Sequence, residues 1–162
     1  MNAIDPKLGA GGNCQSWTPL LELATREVFA LMLQSSLEAA PQPLGENGFD
    51  ITAIVGLAGC ASGAVSLRCT LASAALMAGK MLGVSPAEAG LKVQDAVGEV
   101  CNMIAGNFKN KIAGMGDGCL LSVPTVITGA DYNLHSLTCS ASVEIQLLFE
   151  KLPLIISITV HS

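Results

Sequence analysis

The chain has 162 residues, of which 51% are hydrophobic and only 13% are charged, and its formal net charge is −5 at pH 7. A chain of this length most simply forms one domain that buries about 70% of its unfolded surface. The negative charge and the eight Lys and Arg residues argue against nucleic acid as a partner, because phosphate binding needs clustered cations.

The cysteines and histidines show no spacing typical of metal ligands. No two cysteines form a Cys-x2-Cys pair, and His135 and His161 are isolated in the sequence. In a reducing compartment such cysteines behave as small hydrophobic residues, so we expect them in strands and on buried helix faces rather than in a zinc site. The six cysteines are Cys14, Cys60, Cys69, Cys101, Cys119 and Cys139.

The N-terminal part predicts a flexible tail followed by a helix. Residues 1–15 are rich in Gly and Asn, which indicates a loose tail, and residues 16–162 are expected to form a single domain. The first residues lack the basic and apolar segments of a signal peptide, so we expect a cytoplasmic protein. Thr18 and Pro19 offer an N-cap and a first-turn proline for a helix that runs to about Leu37.

A charge-free stretch follows the first helix. The apolar run from Ile51 to Leu67 is short for a membrane span, and several Gly and Ser residues interrupt it. Two buried strands joined by a turn of small residues explain it better, so we predict strands over residues 49–58 and 64–70 and no membrane span.

Two helices are predicted in the middle of the chain. A short alanine-rich helix covers about Leu71 to Leu82 and ends at Gly83. A long helix is predicted from about Ala87 to Ile112, since several glycines follow it closely.

Three strands are predicted after the long helix. The strand over residues 119–127 contains Pro124, which should lie at a sheet edge or in a bulge because proline cannot donate a backbone hydrogen bond. Strict alternation of apolar and polar residues over 137–149 predicts a long, half-buried strand. The chain is then expected to turn at 151–153 and to return as a partner strand over 154–161.

The order of these elements predicts an α+β domain. An antiparallel sheet would be covered by helices on one face. A long helix followed by a strand pair occurs twice, which indicates a faint internal duplication of helix–strand-pair units.

The long helix carries a group of polar side chains that its core does not need. Asp95, Glu99 and Asn102 follow at offsets of four and three residues, which places them within an arc of roughly 60° on one face. Gly106 projects onto the same face, where a missing side chain would let another surface come close. Asn is a mediocre helix former, so propensity does not explain Asn102 at mid-helix. The opposite face is an apolar stripe of Val93, Val97, Val100, Cys101, Ile104 and Phe108.

The pattern Asp-x3-Glu-x2-Asn, followed by Pro124 at 22 positions after the asparagine, resembles the signature of the CheC/CheX family of chemotaxis response-regulator phosphatases. The resemblance covers about residues 18–160 and includes Gly56-Leu-Ala-Gly59, Ser62-Gly63-Ala-Val-Ser-Leu67, Ala78-Gly-Lys-Met-Leu-Gly83 and Gly98-Glu-Val-Cys-Asn-Met-Ile-Ala-Gly106. The first helix has no Glu-x2-Asn pair, so the chain is more similar to the single-site CheX form than to two-site CheC. The resemblance implies a CheX-like domain.

The resemblance implies a phosphatase that hydrolyses the aspartyl phosphate of a CheY-like receiver domain. A carboxamide offers a donor and an acceptor from one rigid group, so Asn102 is expected to orient the attacking water. Glu99 would pair with the lysine of the receiver, whereas Asp95 either assists docking or only keeps the helix face soluble. Pro124 is expected to shape the chain beside the helix without contacting phosphorus.

The partners and the competing function follow from the same resemblance. Mg²⁺ is expected in the receiver domain, and no cofactor is expected on this chain. Relatives of the CheX form are homodimers joined through their sheets, so a homodimer is also expected here. The long strand over 137–149 offers an edge for such pairing.

No phosphate-binding Gly-x4-Gly-Lys loop or nucleophile elbow is present in the sequence. The alternative is a non-catalytic binding or scaffold protein of the chemotaxis or flagellar switch apparatus, which would not require the pair of Glu99 and Asn102.

Overall fold

The computed structural model describes residues 14–130, 132–133 and 139–161. In this part of the chain, one antiparallel sheet carries helices on one face, which confirms the predicted α+β class. Of the predicted tail over residues 1–15, all but the last two residues lie outside the described part, and so do His135 and the predicted start of the long strand at 137–138.

Helix α1 spans Thr18–Leu33. Pro19 lies in its first turn as predicted, but the N-cap is Trp17 rather than Thr18, and the helix ends four residues before Leu37. A 3-10 turn over Cys14–Trp17 runs directly into the helix, and therefore Trp17 precedes its first residue without a side-chain cap. The helix stops because Gln34 adopts the left-handed conformation (φ 50°). Leu37 is buried in the core although it lies beyond the helix. Its apolar side chain fits the helical repeat, and for this reason the predicted helix was too long.

Helix α2 spans Leu71–Leu82, as predicted. The Oγ1 of Thr70 accepts a hydrogen bond from the backbone N–H of Ser73 (3.1 Å), which caps its start. Gly83 ends it in the left-handed conformation (φ 70°).

The long helix predicted from Ala87 is interrupted near its start. Helix α3 covers only Pro86–Ala89, a 3-10 turn covers Gly90–Lys92, and helix α4 spans Val93–Lys111. The interruption occurs at Gly90, whose backbone (φ 51°, ψ −123°) lies outside the helical region. Gly90 also tolerates that conformation better than any other residue type, a point that helical periodicity alone does not reveal.

Seven strands form the sheet in the described residues, in the order β1-β6-β7-β3-β2-β4, with β5 also paired to β2. All neighbours are antiparallel. The strands are β1 (Glu38–Ala39), β2 (Ile51–Gly59), β3 (Ser62–Cys69), β4 (Cys119–Leu121), β5 (Thr125–Thr128), β6 (Cys139–Phe149) and β7 (Leu152–His161).

The predicted strand over 119–127 is split into β4 and β5, and Pro124 lies in the break. Both pieces pair with β2 at the edge of the sheet. Between the paired residues, three residues of the edge (122–124) lie opposite two of β2 (55–56), which defines a β-bulge. The prediction of an edge or bulge position for Pro124 is thus confirmed.

The hairpin between β6 and β7 is tighter than predicted. Glu150 and Lys151 both have positive φ (50° and 67°) and form a two-residue turn. Pro153, predicted to be part of the turn, instead lies in β7 opposite Leu148.

The internal duplication has a structural counterpart. Each unit consists of a long helix, a short edge strand and a hairpin: α1, β1 and β2–β3 in one, and α4, β4/β5 and β6–β7 in the other. The edge strand of each unit pairs with the first strand of the other unit's hairpin, and the two hairpins meet at β3 and β7. The units are therefore interlocked.

The core lies between the helices and one face of the sheet. Trp17 and Phe29 pack edge to face with Phe108 and Phe149, respectively. Part of the opposite face is covered by the segment 44–49, since the guanidinium of Arg68 lies 5.1 Å from the ring centre of Phe49. Sheet residues that face the helices include Ala53, Val55, Val65, Leu67, Val143, Ile145, Leu147, Leu154, Ile156 and Ile158.

The described cysteines are free thiols, and most are small core residues as predicted. Cys69, Cys101 and Cys119 are buried. Cys60 is exposed, so the prediction is wrong for this residue; it lies in the turn between β2 and β3 rather than in a strand. The side chains of Cys14 and Cys139 lie outside the described part. No helix in the described ranges is both long enough and apolar enough to cross a membrane.

Candidate functional site

Helix α4 divides into a buried face and a polar face, as its sequence predicts. Five of the six residues of the predicted apolar stripe are completely buried, and Val93 is half-buried. The thiol of Cys101 points into the sheet, toward the carbonyl oxygens of Ala53 (3.6 Å) and Val65 (3.7 Å). Burial raises the pKa of Cys101 to about 12, so this neighbour of Asn102 stays a neutral thiol and does not act as a nucleophile.

Two sets of side-chain bonds fix the rotation of α4 about its axis. Toward α1, the Nδ2 of Asn107 donates to the carbonyl of Ala24 (3.2 Å) and to Oε2 of Glu27 (2.7 Å), and Lys111 pairs with the same carboxylate (2.6 Å). Hydrogen bonds from Lys111 and Asn107 lower the pKa of Glu27. On the other side, Nζ of Lys109 donates to the carbonyls of Gly116 (2.7 Å) and Cys119 (2.8 Å), which ties the helix to the loop before β4.

The polar face carries the three predicted side chains. Asp95 and Glu99 are exposed. The Oδ2 of Asp95 lies 3.9 Å from Nζ of Lys92, a loose and exposed ion pair of little energetic weight. Within the described residues, the carboxylate of Glu99 has no cationic or hydrogen-bonding partner. Both carboxylates are thus available to a visiting cation.

Asn102 lies at the border between the polar face and the sheet edge. Its side chain is half-buried and makes no hydrogen bond to another described residue. One turn on either side of it, α4 contacts the bulged edge: a Cβ at Gly98 would lie 3.3 Å from Pro124, and one at Gly106 would lie 3.8 Å from Leu121. These contacts fix the helix backbone on both sides of Asn102, while the polar atoms of its carboxamide have no partner among the described residues.

A groove of about 540 Å³ runs between α4 and β5 on this side of the molecule. The two carboxylates of the polar face lie at its rim, and Pro124 forms part of its wall. The groove is lined by Gln94, Asp95, Gly98, Glu99, Pro124, Val126 and Thr128.

The structure thus brings Asp95, Glu99 and Pro124 together around one groove, with Asn102 beside it on the same helix. Gly106 meets β4 of its own chain rather than leaving a gap for another surface. Sequence analysis did not single out Gly98, Val126 or Thr128. A glycine at mid-helix, directly before Glu99, was the available signal for a close contact, because it costs about 1 kcal/mol relative to Ala.

Within the described residues, no group of three or more His, Cys, Asp or Glu side chains lies close enough together to hold a metal ion. What the arrangement offers is an acidic rim and one unpaired carboxamide on a rigid helix.

The fold and this face define the class: an α+β domain that presents a carboxylate and a carboxamide from one exposed helix. The family model described as chemotaxis phosphatase CheX matches residues 51–148, more than half of the chain. The chain therefore belongs to the CheX family, which confirms the resemblance inferred from the motif. No curated protein matches it in sequence.

Solved structures share the fold. The chemotaxis protein CheX from Vibrio vulnificus is 20% identical with a TM-score of 0.75, and the match covers 90% of this chain and 96% of that one. CheX from Desulfovibrio desulfuricans is 24% identical with a TM-score of 0.72, covering 90% and 99%. A chain of the CheX–CheY–BeF3–Mg²⁺ complex from Borrelia burgdorferi is 20% identical with a TM-score of 0.74, covering 90% and 98%.

The two glycines of α4 provide a test of how closely the helix approaches the bulged edge. Propensity alone would stabilise either Gly→Ala variant by up to about 1 kcal/mol. We expect Gly106→Ala to realise this gain, since its Cβ would make an ordinary contact at 3.8 Å. Gly98→Ala should not gain this stability, since its Cβ would lie 3.3 Å from both Pro124 and Val126 and would crowd them. Denaturant unfolding of the two variants side by side measures the difference, and equal stabilities would contradict the close packing.

Proposed function

We propose that this protein hydrolyses the aspartyl phosphate of a CheY-like receiver domain, with α4 inserted into the phosphorylation pocket of the receiver. The observation that carries the proposal is the carboxamide of Asn102, which has no hydrogen-bond partner among the described residues and lies half-buried on a fixed helix one turn from Glu99. Membership in a family described as chemotaxis phosphatases supports the reaction, and the CheX–CheY complex among similar folds supports the partner. With a receiver domain as its substrate, the protein acts in the cytoplasm.

The proposed reaction requires this chain only to place a polar group correctly beside the phosphoryl group. Hydrolysis of an acyl phosphate is limited by placing a water in line with phosphorus while the charge on the phosphoryl oxygens is neutralised. Asn102 holds that water through its carbonyl oxygen and its N–H at the same time. Mg²⁺, expected in the pocket of the receiver, supplies the charge neutralisation when bound.

The carboxylates of the polar face serve docking in this proposal. Glu99 lacks a partner among the described residues, so it meets the lysine of the receiver without first breaking an internal ion pair. Asp95 is already near Lys92 and fully on the surface, so its share in docking is smaller. Pro124 contributes indirectly, because it packs at Gly98 and fixes the edge beside the helix.

Replacing Asn102 by Ala should abolish acceleration of phosphate release, because positioning terms of this kind change rates by ~10² or more. Loss of phosphate from a phosphorylated receiver measures it, at saturating receiver. Asn110→Ala is the matched control, since Asn110 is an exposed asparagine on the same helix, two turns further on. If Asn102→Ala retained the wild-type rate, the enzymatic proposal would be wrong; if wild type gave only spontaneous decay, the alternative of a non-catalytic binding protein would gain.

Replacing Glu99 by Gln should weaken the complex about tenfold and leave the rate at saturation nearly unchanged, because the change removes a charge but keeps the size of the side chain. Titration with a Mg²⁺–beryllofluoride receiver, an unreactive substitute for the phosphorylated form, measures the affinity. The difference from wild type should shrink as salt is added. Glu46→Gln, in an exposed loop outside the groove, is the control. An unchanged affinity would refute the role of Glu99.

We also propose that the protein is a homodimer joined through its sheet edge. Strand β1 pairs with β6 only at Leu147 and Leu148, and no described strand pairs with this edge of β6 from Ala141 to Ile145. An open edge of this length can pair with a second copy. Sedimentation at micromolar concentration should show a dimer, and a monomer alone would contradict the proposal.

A further inference from the structure

The β-bulge beside α4 exposes an apolar side chain next to the candidate site. Val123, in the middle of the bulge, is 85% exposed. The backbone before Val123 is held by two hydrogen bonds to β2. The N–H of Ser122 donates to the carbonyl of Gly56 (2.9 Å), and the Oγ of Ser122 accepts from the N–H of Gly56 (2.8 Å). The one extra residue of the bulge turns the chain outward, as bulges beside functional sites do.

The contacts of the two helix glycines place Val123 alongside Asn102. Pro124 lies against Gly98 and Leu121 lies against Gly106, so the edge runs antiparallel to α4 over this stretch. These two glycines are about 12 Å apart along the helix, with Asn102 halfway between them. Residues 122 and 123, which connect the two contacts, therefore pass beside the helix segment that carries Asn102.

A second apolar side chain lies at the other end of the polar face. Leu91, in the 3-10 turn that leads into α4, is one turn before Asp95 and is 93% exposed. Leu91 and Val123 are the two most exposed large hydrophobic side chains of the described residues. Single exposed hydrophobic residues are common and need no explanation. Here two of them flank the polar face of α4, where the carboxylate of Glu99 has no partner among the described residues, so apolar and charged groups are exposed next to each other.

We propose that Val123 and Leu91 are the apolar anchors by which the protein grips the phosphorylated receiver domain around its phosphorylation pocket. The inference rests on the proposed function and adds the residues that determine affinity. The occupant follows from charge complementarity and continuity with the site: Asp95 and Glu99 form an acidic rim between the anchors, suited to a surface that presents a lysine beside apolar residues. The anchors contribute binding, and Asn102 contributes chemistry.

The test separates these two contributions. For Val123→Ser we expect about a tenfold weaker affinity for the Mg²⁺–beryllofluoride receiver, a loss of about 1.4 kcal/mol, and a tenfold higher KM, with kcat within about twofold of wild type. Leu91→Ser should behave in the same way. Val123→Leu should retain affinity. Leu31→Ser, at a site on α1 that is 79% exposed, is the matched control and should change neither constant.

The possible outcomes distinguish failure of the anchor proposal from failure of the phosphatase proposal. If Val123→Ser and Leu91→Ser bind and turn over as wild type does, the anchor proposal is overturned and the phosphatase proposal stands. If wild type binds receivers without hydrolysis and Val123→Ser loses that binding, the anchors stand and the phosphatase proposal falls. If none of the host's receivers binds, or if Val123→Ser instead converts a dimer to a monomer in sedimentation, the anchor proposal is overturned.

Discussion

The site depends on the burial of one helix face against the sheet. The apolar stripe of α4 is completely buried apart from Val93, and burial of each large side chain contributes about 1.5–3 kcal/mol, so the helix cannot rotate without large cost. Asn107, Lys109 and Lys111 then fix the flanks of α4 through bonds to α1 and to the loop before β4. The direction in which Glu99 and Asn102 point is a consequence of this anchoring. A positioning mechanism benefits from a fixed helix, because the backbone of Asn102 then does not have to be ordered when the partner binds.

The candidate site lies on one of two interlocked units, whose architecture is repeated but whose sheet edges differ. Each edge strand pairs with the hairpin of the other unit, so the edge beside α4 is built on β2, while the edge beside α1 is built on β6. The two edges differ: β1 has two residues, whereas the edge at β2 is longer, bulged and packed against two glycines of α4. In α1, the carboxylate of Glu27 is used to hold Asn107 and Lys111, so it serves the packing of α4.

In the functional proposal, chemistry and affinity rest on different residues. Asn102 is assigned the chemistry, whereas Glu99 on the same helix and Val123 in the bulged edge are assigned binding. If the proposal holds, substitutions in the bulge change the choice of receiver while the reacting groups keep their positions. The extra residue of the bulge directs a side chain outward beside the helix segment that carries Asn102.

Local patterns in the sequence were sufficient to predict most of the helices and strands and to select the candidate residues. Alternation revealed β6, helical periodicity revealed the two faces of α4, and the spacing of Asp95, Glu99 and Asn102 was enough to place them on one side, because these features depend only on the repeat of the backbone. The ends of α1, the interruption at Gly90 and the split strand around Pro124 were decided by tertiary contacts and by left-handed backbone positions, which periodicity does not encode. The close packing of Gly98 on Pro124, the pairing of β4 and β5 with β2, and the placement of Val123 beside Asn102 required the assembled sheet. These are contacts between residues far apart in the chain, and no local preference specifies them.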